Sequence, residues 1–386
     1  MMRVLQVIGA MDRGGAETMI MNAYRFADRD KVQFDFLVHE QRECDYDAEI
    51  EALGGRVYRE LPRFTGLNGG AYRRAVRDFL ARHPEHLVVH GHIGSSAAIY
   101  LDEAKRAGRV AVAHSHAQNY PLSPGELAFR ALSLPVRFKA DYFLACSRQA
   151  GLDRFGRTAV EGERFHVLRN GIDVEAFACT DGQHAEAKRA LLGRMGLTSD
   201  EALLVGHVGR FDSVKNHPLL VESFALMKMA EPDAHLALVG RGPEEAAARE
   251  LVRERGLDGS VHFLGVTDDV PAVLRGLDVF ALPSFREGLS MAAVEAQAAG
   301  VPCVLSEGVP AEAVLDGGAC GSAAPGVVML SPKADPRIWA DALLRAAYRS
   351  ASGGIDRALG AQAARSAGFD IRDTARWLQE FYLRIE

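Results

Sequence analysis

Residues 279–305 read VFALPSFREGLSMAAVEAQAAGVPCVL. Residues 279–282 form an apolar run of strand length, stopped by Pro283. A polar loop follows, and residues 291–299 form an alanine- and methionine-rich run suited to a helix. Ser290 stands where an N-cap belongs and Gly300 where a helix ends. A second apolar run begins at Cys303. Strand, loop, helix and strand within so short a stretch predict one βαβ unit, which requires a parallel sheet.

The same alternation runs through the chain. Apolar strand candidates occupy 4–8, 34–38, 87–90, 110–113, 142–145 and 165–168. A second series occupies 203–208, 234–239, 261–263, 279–282, 303–305 and 327–330. Helical stretches such as 17–27, 70–82 and 218–229 lie between them. Continuous apolar strands joined by helices predict doubly wound α/β sheets with both faces covered. The pattern restarts near residue 200, after the polar stretch CTDGQHAEAKRA. We therefore expect two Rossmann-like domains, at 1–175 and 176–371. The final segment, 372–386, carries Trp377, Phe381, Tyr382 and Leu383 in helical register and is expected to dock back on the first domain.

Composition narrows the function. The chain has 386 residues, a net charge of −6, 48% hydrophobic and 25% charged residues. Nothing in that balance favours a nucleic-acid partner. Cys44, Cys146, Cys179, Cys303 and Cys320 are scattered, with no zinc spacing, and read as reduced thiols. No run is long enough to cross a membrane, and the first apolar stretch is too short for a signal peptide. A cytoplasmic protein is expected.

In doubly wound sheets, ligands bind at the carboxyl ends of the strands. After strand 279–282 the amides of Gly288, Leu289 and Ser290 would face out from a helix N-terminus, a site suited to phosphate. Glu287 and Glu295 flank it, and carboxylates accept hydrogen bonds from sugar hydroxyls. After strand 203–208, GRFDSVKN offers Arg210 and Lys215 as partners for a diphosphate. After strand 234–239, Gly240 and Gly242 permit close backbone approach. Hydroxyls at both ends and phosphate in the middle describe a nucleotide-sugar.

These motifs resemble those of the retaining glycosyltransferases of family 4, which have the GT-B fold: two Rossmann-like domains facing a cleft. GRFDSVKN is similar to their GR-x4-KN loop, and PSFREGLSMAAVEAQAAGVPCV to their E-x7-E signature with the helix and strand that follow. RGGAETMI near the start, AHSHA at 113–117, ACSRQA at 145–150, VLRNGIDVEAF at 167–177 and VHFLGVTDDVP at 261–271 occur in the family's order. The layout resembles most the branch that builds bacterial exopolysaccharides and capsules. The resemblance implies that Glu287 contacts the donor sugar, Glu295 the nucleotide ribose, and the amides of Gly288, Leu289 and Ser290 the distal phosphate. Arg210 and Lys215 fall on the pyrophosphate cations. Phe263, Leu264 and Val266 fall on the segment beside the base. Gly14 and Gly15 fall on a glycine loop facing donor phosphates and acceptor. His116 falls on the active-site histidine after the fourth strand, with His114 the lesser candidate and His92 read as structural. Asn170 and Asp173 fall on the hinge segment. Leu289-Ser290 departs from the bulkier residues of many relatives, which leaves the sugar preference open.

The implied reaction moves a sugar from a nucleotide diphosphate, UDP before GDP, to a hydroxyl of a glycan or lipid-linked acceptor with retention. Front-face transfer is favoured, with a covalent intermediate on Glu287 as the alternative. No metal or other cofactor is expected. The triplets Asp28-Arg29-Asp30 and Asp45-Tyr46-Asp47 read as exposed turn acids. From Arg56 to His83, seven arginines stand against Glu60 and Asp78, a net charge of +5, with apolar residues interleaved. Such a stretch could rest on an anionic membrane at the inner face of the plasma membrane, extended by Arg130, Arg137 and Lys139. A GT-B nucleotide-sugar 2-epimerase and a non-catalytic nucleotide-sugar-binding subunit are alternatives. An NAD-dependent oxidoreductase is disfavoured, because GAMDRGG replaces the GxGxxG of a dinucleotide site.

Overall fold

The structure is a computed structural model that describes residues 1–116, 122–199, 202–315 and 326–385. Cys320 and the last residue of the AHSHA motif lie outside the described residues. The chain divides into two compact units. One comprises Met1–Ile172 with Phe369–Glu386, the other Asp173–Gly368.

The first unit contains β1 (Met2–Ile8), β2 (Val32–Val38), β3 (Val57–Tyr58), β4 (His86–Gly91), β5 (Val110–Ser115), β6 (Tyr142–Ala145) and β7 (Phe165–Val167). All pair in parallel, in the order β3-β2-β1-β4-β5-β6-β7. The order reverses between β1 and β4, the point at which doubly wound sheets open a crevice. Both faces are covered. Val4 and Ile8 of β1 enter one core, and Leu5 and Val7 enter the other. β3, with only two residues, left no periodic signal in the sequence. It makes β5 the fifth strand, so His116 follows the fifth strand where the fourth was expected.

Helix Ile371–Ile385 belongs to this unit. It buries Leu378, Phe381 and Tyr382 in the core that holds Val4, Ile8 and Phe34. An isolated bridge between Ile172 and Asp370 guides it there. A Cβ on Gly171 would stand 2.7 Å from the Ile371 Cα, so the crossing needs a glycine.

The second unit contains β8 (Leu203–Val208), β9 (Ala234–Val239), β10 (Val261–Gly265), β11 (Val279–Leu282), β12 (Cys303–Ser306) and β13 (Val327–Leu330). They pair in parallel in the order β10-β9-β8-β11-β12-β13. The reversal falls between β8 and β11, the strands that precede GRFDSVKN and SFREGLS. Leu203, Val205, Val279, Ala281 and Val304 meet Trp339 and Leu343 of helix Pro336–Ala351 in its core. The βαβ unit read from 279–305 is present as β11, helix Met291–Ala298 and β12. Gly300 has φ +70°, and a Cβ there would strike the Arg357 backbone, so the helix ends where the glycine allows.

Candidate functional site

Four loops converge at the carboxyl edge of the second unit's sheet. The loop after β8 opens with Arg210, whose side chain is exposed. Asp212 then accepts hydrogen bonds from the amides of Val214 (3.1 Å) and Lys215 (3.2 Å), closing one 3-10 turn. Asn216 takes the left-handed conformation, φ 56°, which asparagine tolerates better than most residues. Its amide donates to the carbonyls of Pro283 (3.2 Å) and Pro332 (3.1 Å), so one side chain ties this loop to those after β11 and β13.

That turn aims Lys215 at Glu287. The Lys215 ammonium donates to Glu287 Oε1 at 2.7 Å, and the Ser284 hydroxyl donates to the same oxygen at 2.5 Å. Oε2 has no hydrogen-bond partner among the described residues. The β11 loop is pinned by Phe285 N to Val214 O and Glu287 N to Gly308 O, both 2.8 Å. Beyond it, the amides of Gly288, Leu289 and Ser290 make no backbone hydrogen bond among the described residues. Ser290 precedes helix Met291–Ala298 as expected, but its hydroxyl does not cap the helix. The Oγ is buried without a partner. The helix end is therefore left with free donors, a place for an anion.

Glu295 lies further along this helix. Burial of its carboxyl raises its pKa from the usual carboxylate range to about 7. No cation among the described residues compensates, and a carboxyl so placed gains from any hydroxyl brought to it.

Phe263 of β10 stacks on Phe211 of the β8 loop, with ring centroids 5.8 Å apart, and Arg249 lies 4.0 Å over its ring. Leu264 is the bulged residue of the β9–β10 pairing, between Phe263 and Gly265. Val266 is exposed. Gly240 meets the protein itself: a Cβ on it would fall 2.0 Å from Gly209 O, at φ +135°. For Gly242 the obstacle is Phe211 O at 2.2 Å. Both glycines let the β9 loop pack on the β8 loop, a reason for glycine that needs no ligand.

In the first unit, Gly14 and Gly15 open helix Gly15–Phe26. A Cβ on Gly14 would strike the Glu17 carboxylate, whereas Gly15 has open space around it. His116 follows β5. Its Nε2 lies 2.7 Å from His92 Nδ1, and His92 Nε2 lies 2.8 Å from Gln6 Oε1. A cavity of about 130 Å³ is lined by His92, His114, Ser115, His116 and Phe129, among others. Burial lowers the pKa of His116 to about 4, and those of His90, His92 and His114 also fall. All four are neutral near pH 7. Nitrogens of His90, His92 and His114 lie within 4.8 Å of one another. However, the rings of His90 and His114 are parallel, 9° and 5.2 Å apart, and stacked rings do not converge their lone pairs on one ion.

The proposed membrane stretch has a different use in the structure. Helix Gly69–Arg82 buries Tyr72, Val76, Phe79 and Leu80. Five of its region's seven arginines are ion-paired: Arg56 with Glu85, Arg59 with Asp47, Arg73 with Asp102 and Glu103, Arg77 with Glu103, and Arg82 with Glu60. The apolar side of the helix is core and most of the charge is paired, although Leu67 ahead of it is exposed. Of the two acidic triplets, Asp28 is exposed as expected and pairs with Lys31, and Asp45 is exposed and accepts from Arg13 N, but Asp47 is buried against Arg59 and is not the exposed turn acid expected.

The description "Glycosyltransferase Family 4" matches residues 13–176, and "Glycosyl transferases group 1" matches residues 202–348. EpsF of Bacillus subtilis, which carries a glycosyltransferase's name, is 36% identical over 388 residues, 98% of this chain and 96% of its own. The chain belongs to glycosyltransferase family 4. Other relatives of this glycosyltransferase include the D-inositol 3-phosphate glycosyltransferase of Corynebacterium diphtheriae, 28% identical over 88% of this chain and 83% of its own. Among solved structures, Anabaena HepE in complex with UDP and glucose matches the whole of both chains with a TM-score of 0.77 at 19% identity. That likeness establishes the GT-B class of two Rossmann-like units.

The structure of this family 4 enzyme brings Lys215, Glu287 and the 288–290 amides together. It leaves Arg210 exposed beside them. Sequence reasoning gave no part to Asp212, Asn216 or Ser284, which aim the pair. An asparagine before His-Pro was the available signal for a left-handed residue. Gln6 and Tyr382 were also missed as partners of the histidines, although a glutamine inside the apolar run RVLQVI is a visible anomaly.

Proposed function

We propose that this enzyme transfers a sugar, with retention, from a uridine diphosphate donor to a hydroxyl of a glycan or lipid-linked acceptor in the synthesis of a cell-surface polysaccharide. The second unit holds the donor and the first the acceptor. The observation that carries the donor reading is the Lys215–Glu287 contact beneath the free 288–290 amides. An ammonium and three amides suit a diphosphate, and the second oxygen of Glu287, Oε2, suits a sugar hydroxyl. The name of EpsF supports a glycosyltransferase, and the HepE complex with UDP and glucose supports the choice of base.

Departure of the diphosphate leaves an oxocarbenium-like carbon and charge on the leaving oxygens. Lys215, Arg210 and the amides stabilise that charge, each well-placed donor contributing about 3–4 kcal/mol. Front-face attack by the acceptor hydroxyl, deprotonated by a departing phosphate oxygen, gives retention without a protein nucleophile. Neither the leaving group nor the nucleophile then requires a metal.

The test is a thermal-denaturation panel with UDP, GDP, ADP, CMP and NAD, on the native protein and on Glu295→Ala. Ligand at about 100 times its dissociation constant stabilises by about 2.7 kcal/mol. A shift with UDP that is lost in Glu295→Ala is expected. A shift with NAD alone, or with no diphosphate, refutes the reading.

A further inference from the structure

We infer that Gln6, His92 and Tyr382 form a positioning chain that holds His116 as the tautomer protonated on Nε2. Its Nδ1 lone pair is then left to accept a hydrogen bond from a substrate hydroxyl. The inference rests on the transferase reading only for the identity of that hydroxyl.

The chain is fixed by what each atom is able to do. The Gln6 amide nitrogen can only donate, and it lies 3.2 Å from the Tyr382 hydroxyl. The Gln6 Oε1 can only accept, and it lies 2.8 Å from His92 Nε2. His92 must therefore carry its proton on Nε2. Burial keeps the ring neutral, so His92 Nδ1 is an acceptor. His116 Nε2, 2.7 Å away, must then be the donor. One proton remains to a neutral imidazole, and it is used. His116 Nδ1 is a bare lone pair, buried with no partner among the described residues. At the other end, Tyr382 receives the Gln6 proton and gives its own to His90 Nδ1 at 2.5 Å.

Every member is placed by the fold. Gln6 sits mid-strand in β1, opposite His90 of β4 in the parallel register. Its side chain lies on the face that helix Ile371–Ile385 covers, which is where Tyr382 is buried. His92 and His116 are the first residues beyond the carboxyl ends of neighbouring strands, with His92 N bonded to Val7 O. A buried acceptor without a partner costs free energy in the empty protein, and a ligand hydroxyl relieves that cost. The chemical consequence is specific. A neutral His116 presenting Nδ1 receives a hydrogen bond. It does not donate one to a phosphate oxygen, and it brings no positive charge to the leaving group. The C-terminal helix thereby reaches the active-site histidine through one glutamine, 376 residues away in sequence.

The experiment reads the tautomers directly. Long-range proton–nitrogen correlation spectra of 15N-histidine-labelled protein distinguish Nδ1-H from Nε2-H rings without any substrate. The His116 signals are assigned with His116→Ala. The native protein should show His116 protonated on Nε2. Gln6→Met, and the milder Tyr382→Phe, should give mixed tautomers at His116. Each should lower kcat roughly tenfold to hundredfold, with KM for donor and acceptor little changed, as expected when a hydrogen-bond acceptor that orients a substrate hydroxyl in the transition state is mis-set. A native His116 protonated on Nδ1 would mean the Gln6 amide is reversed, and would overturn the chain. An unchanged tautomer in both variants would overturn it too. Full activity in His116→Ala would overturn the substrate-facing role even with the tautomer as expected. Because the spectra need no donor, a failed nucleotide panel leaves this test intact.

Discussion

The ammonium of Lys215 sits 2.7 Å from Oε1 of Glu287, 72 residues on in the sequence, and the same oxygen accepts the Ser284 hydroxyl. Two motifs that read separately as a phosphate cation and a sugar carboxylate are one ion pair in the empty protein. Both side chains are largely shielded, at 16% and 11% exposure, so the pair is worth more than a surface bridge. It cannot be broken without cost. On the proposed donor reading, a diphosphate would offer Lys215 a second anion and leave Glu287 Oε2 to accept from the sugar.

Coupling between the two should therefore be measurable. Lys215→Met should weaken UDP binding and strand the Glu287 charge. Glu287→Gln should cut kcat before it cuts nucleotide affinity. In the double variant the losses in kcat/KM should fall short of the sum by about 0.5–3 kcal/mol, the range for residues in contact. A steady-state double-mutant cycle checks this. Losses that add within about 0.5 kcal/mol would show that the contact plays no part in turnover.

Glu295 gives a pH prediction with a definite sign. Its pKa is raised to about 7 in the folded empty protein from a usual value near 4.5. Between those two values the native state binds the proton and the unfolded state has released it. Stability from this group therefore falls as pH rises from about 4.5 to 7, and stays low above. The cost is on the order of 3 kcal/mol at most. Glu295→Gln should flatten that slope and raise the melting temperature of the empty protein above pH 7. A ribose clamp needs the carboxylate, so UDP affinity should rise with pH through about 7 in the native protein and not in Glu295→Gln. Calorimetric titration from pH 5.5 to 8.5 decides it. A pH-independent affinity in the native protein would falsify the clamp.

The sheets were legible because parallel strands buried on both faces read as unbroken apolar runs, as 203–208 and 279–282 do. The loops after β8 and β11 were legible as neighbours because their motifs follow the two strands at which the sheet order reverses. β3 was not, since two residues carry no period. The side chains that aim the site, Asn216, Ser284 and Gln6, were not legible either. Each acts through a partner distant in sequence, and a single chain gives no sign of who that partner is. The ion pairs of the Arg56–His83 stretch were not legible for the same reason. Arg59, Arg73 and Arg77 look free until Asp47, Asp102 and Glu103 are brought alongside. Gly240 was legible as a close approach, but what approaches is Gly209 O.

Glycines with different reasons should respond differently. Gly240→Ala would place its Cβ 2.0 Å from Gly209 O at φ +135°. It should destabilise the protein by about 2 kcal/mol or more, read as a fall in melting temperature, whether or not a ligand is present. Gly15→Ala meets nothing within 4 Å in the empty protein and begins a helix, where alanine is favourable. Its stability should change by no more than about 0.5 kcal/mol. A rise in donor or acceptor KM in Gly15→Ala would then report a substrate passing close to the backbone. Native kinetics in that variant would remove Gly15 from the site.

Membrane contact, if the acceptor is lipid-linked, should come from a different surface than the basic stretch. Leu122, Leu127, Leu134 and Phe138 are exposed around helix Pro124–Ser133, Phe138 at 77%. Two of the three nearby cations are engaged, Arg130 with Glu126 and Lys139 with Asp102. The attraction should therefore be mainly apolar, scaling with buried side-chain area and not with free charge. Leu134→Ser with Phe138→Ser should reduce co-sedimentation with vesicles containing anionic lipid. Arg73→Gln with Arg77→Gln should not reduce it, because those arginines are held by Glu103. Raising salt should weaken the native protein's binding only slightly. Loss of binding in the arginine variant, with the serine variant unchanged, would return the contact to the 56–83 stretch. No sedimentation of the native protein at low salt would remove the membrane from the account.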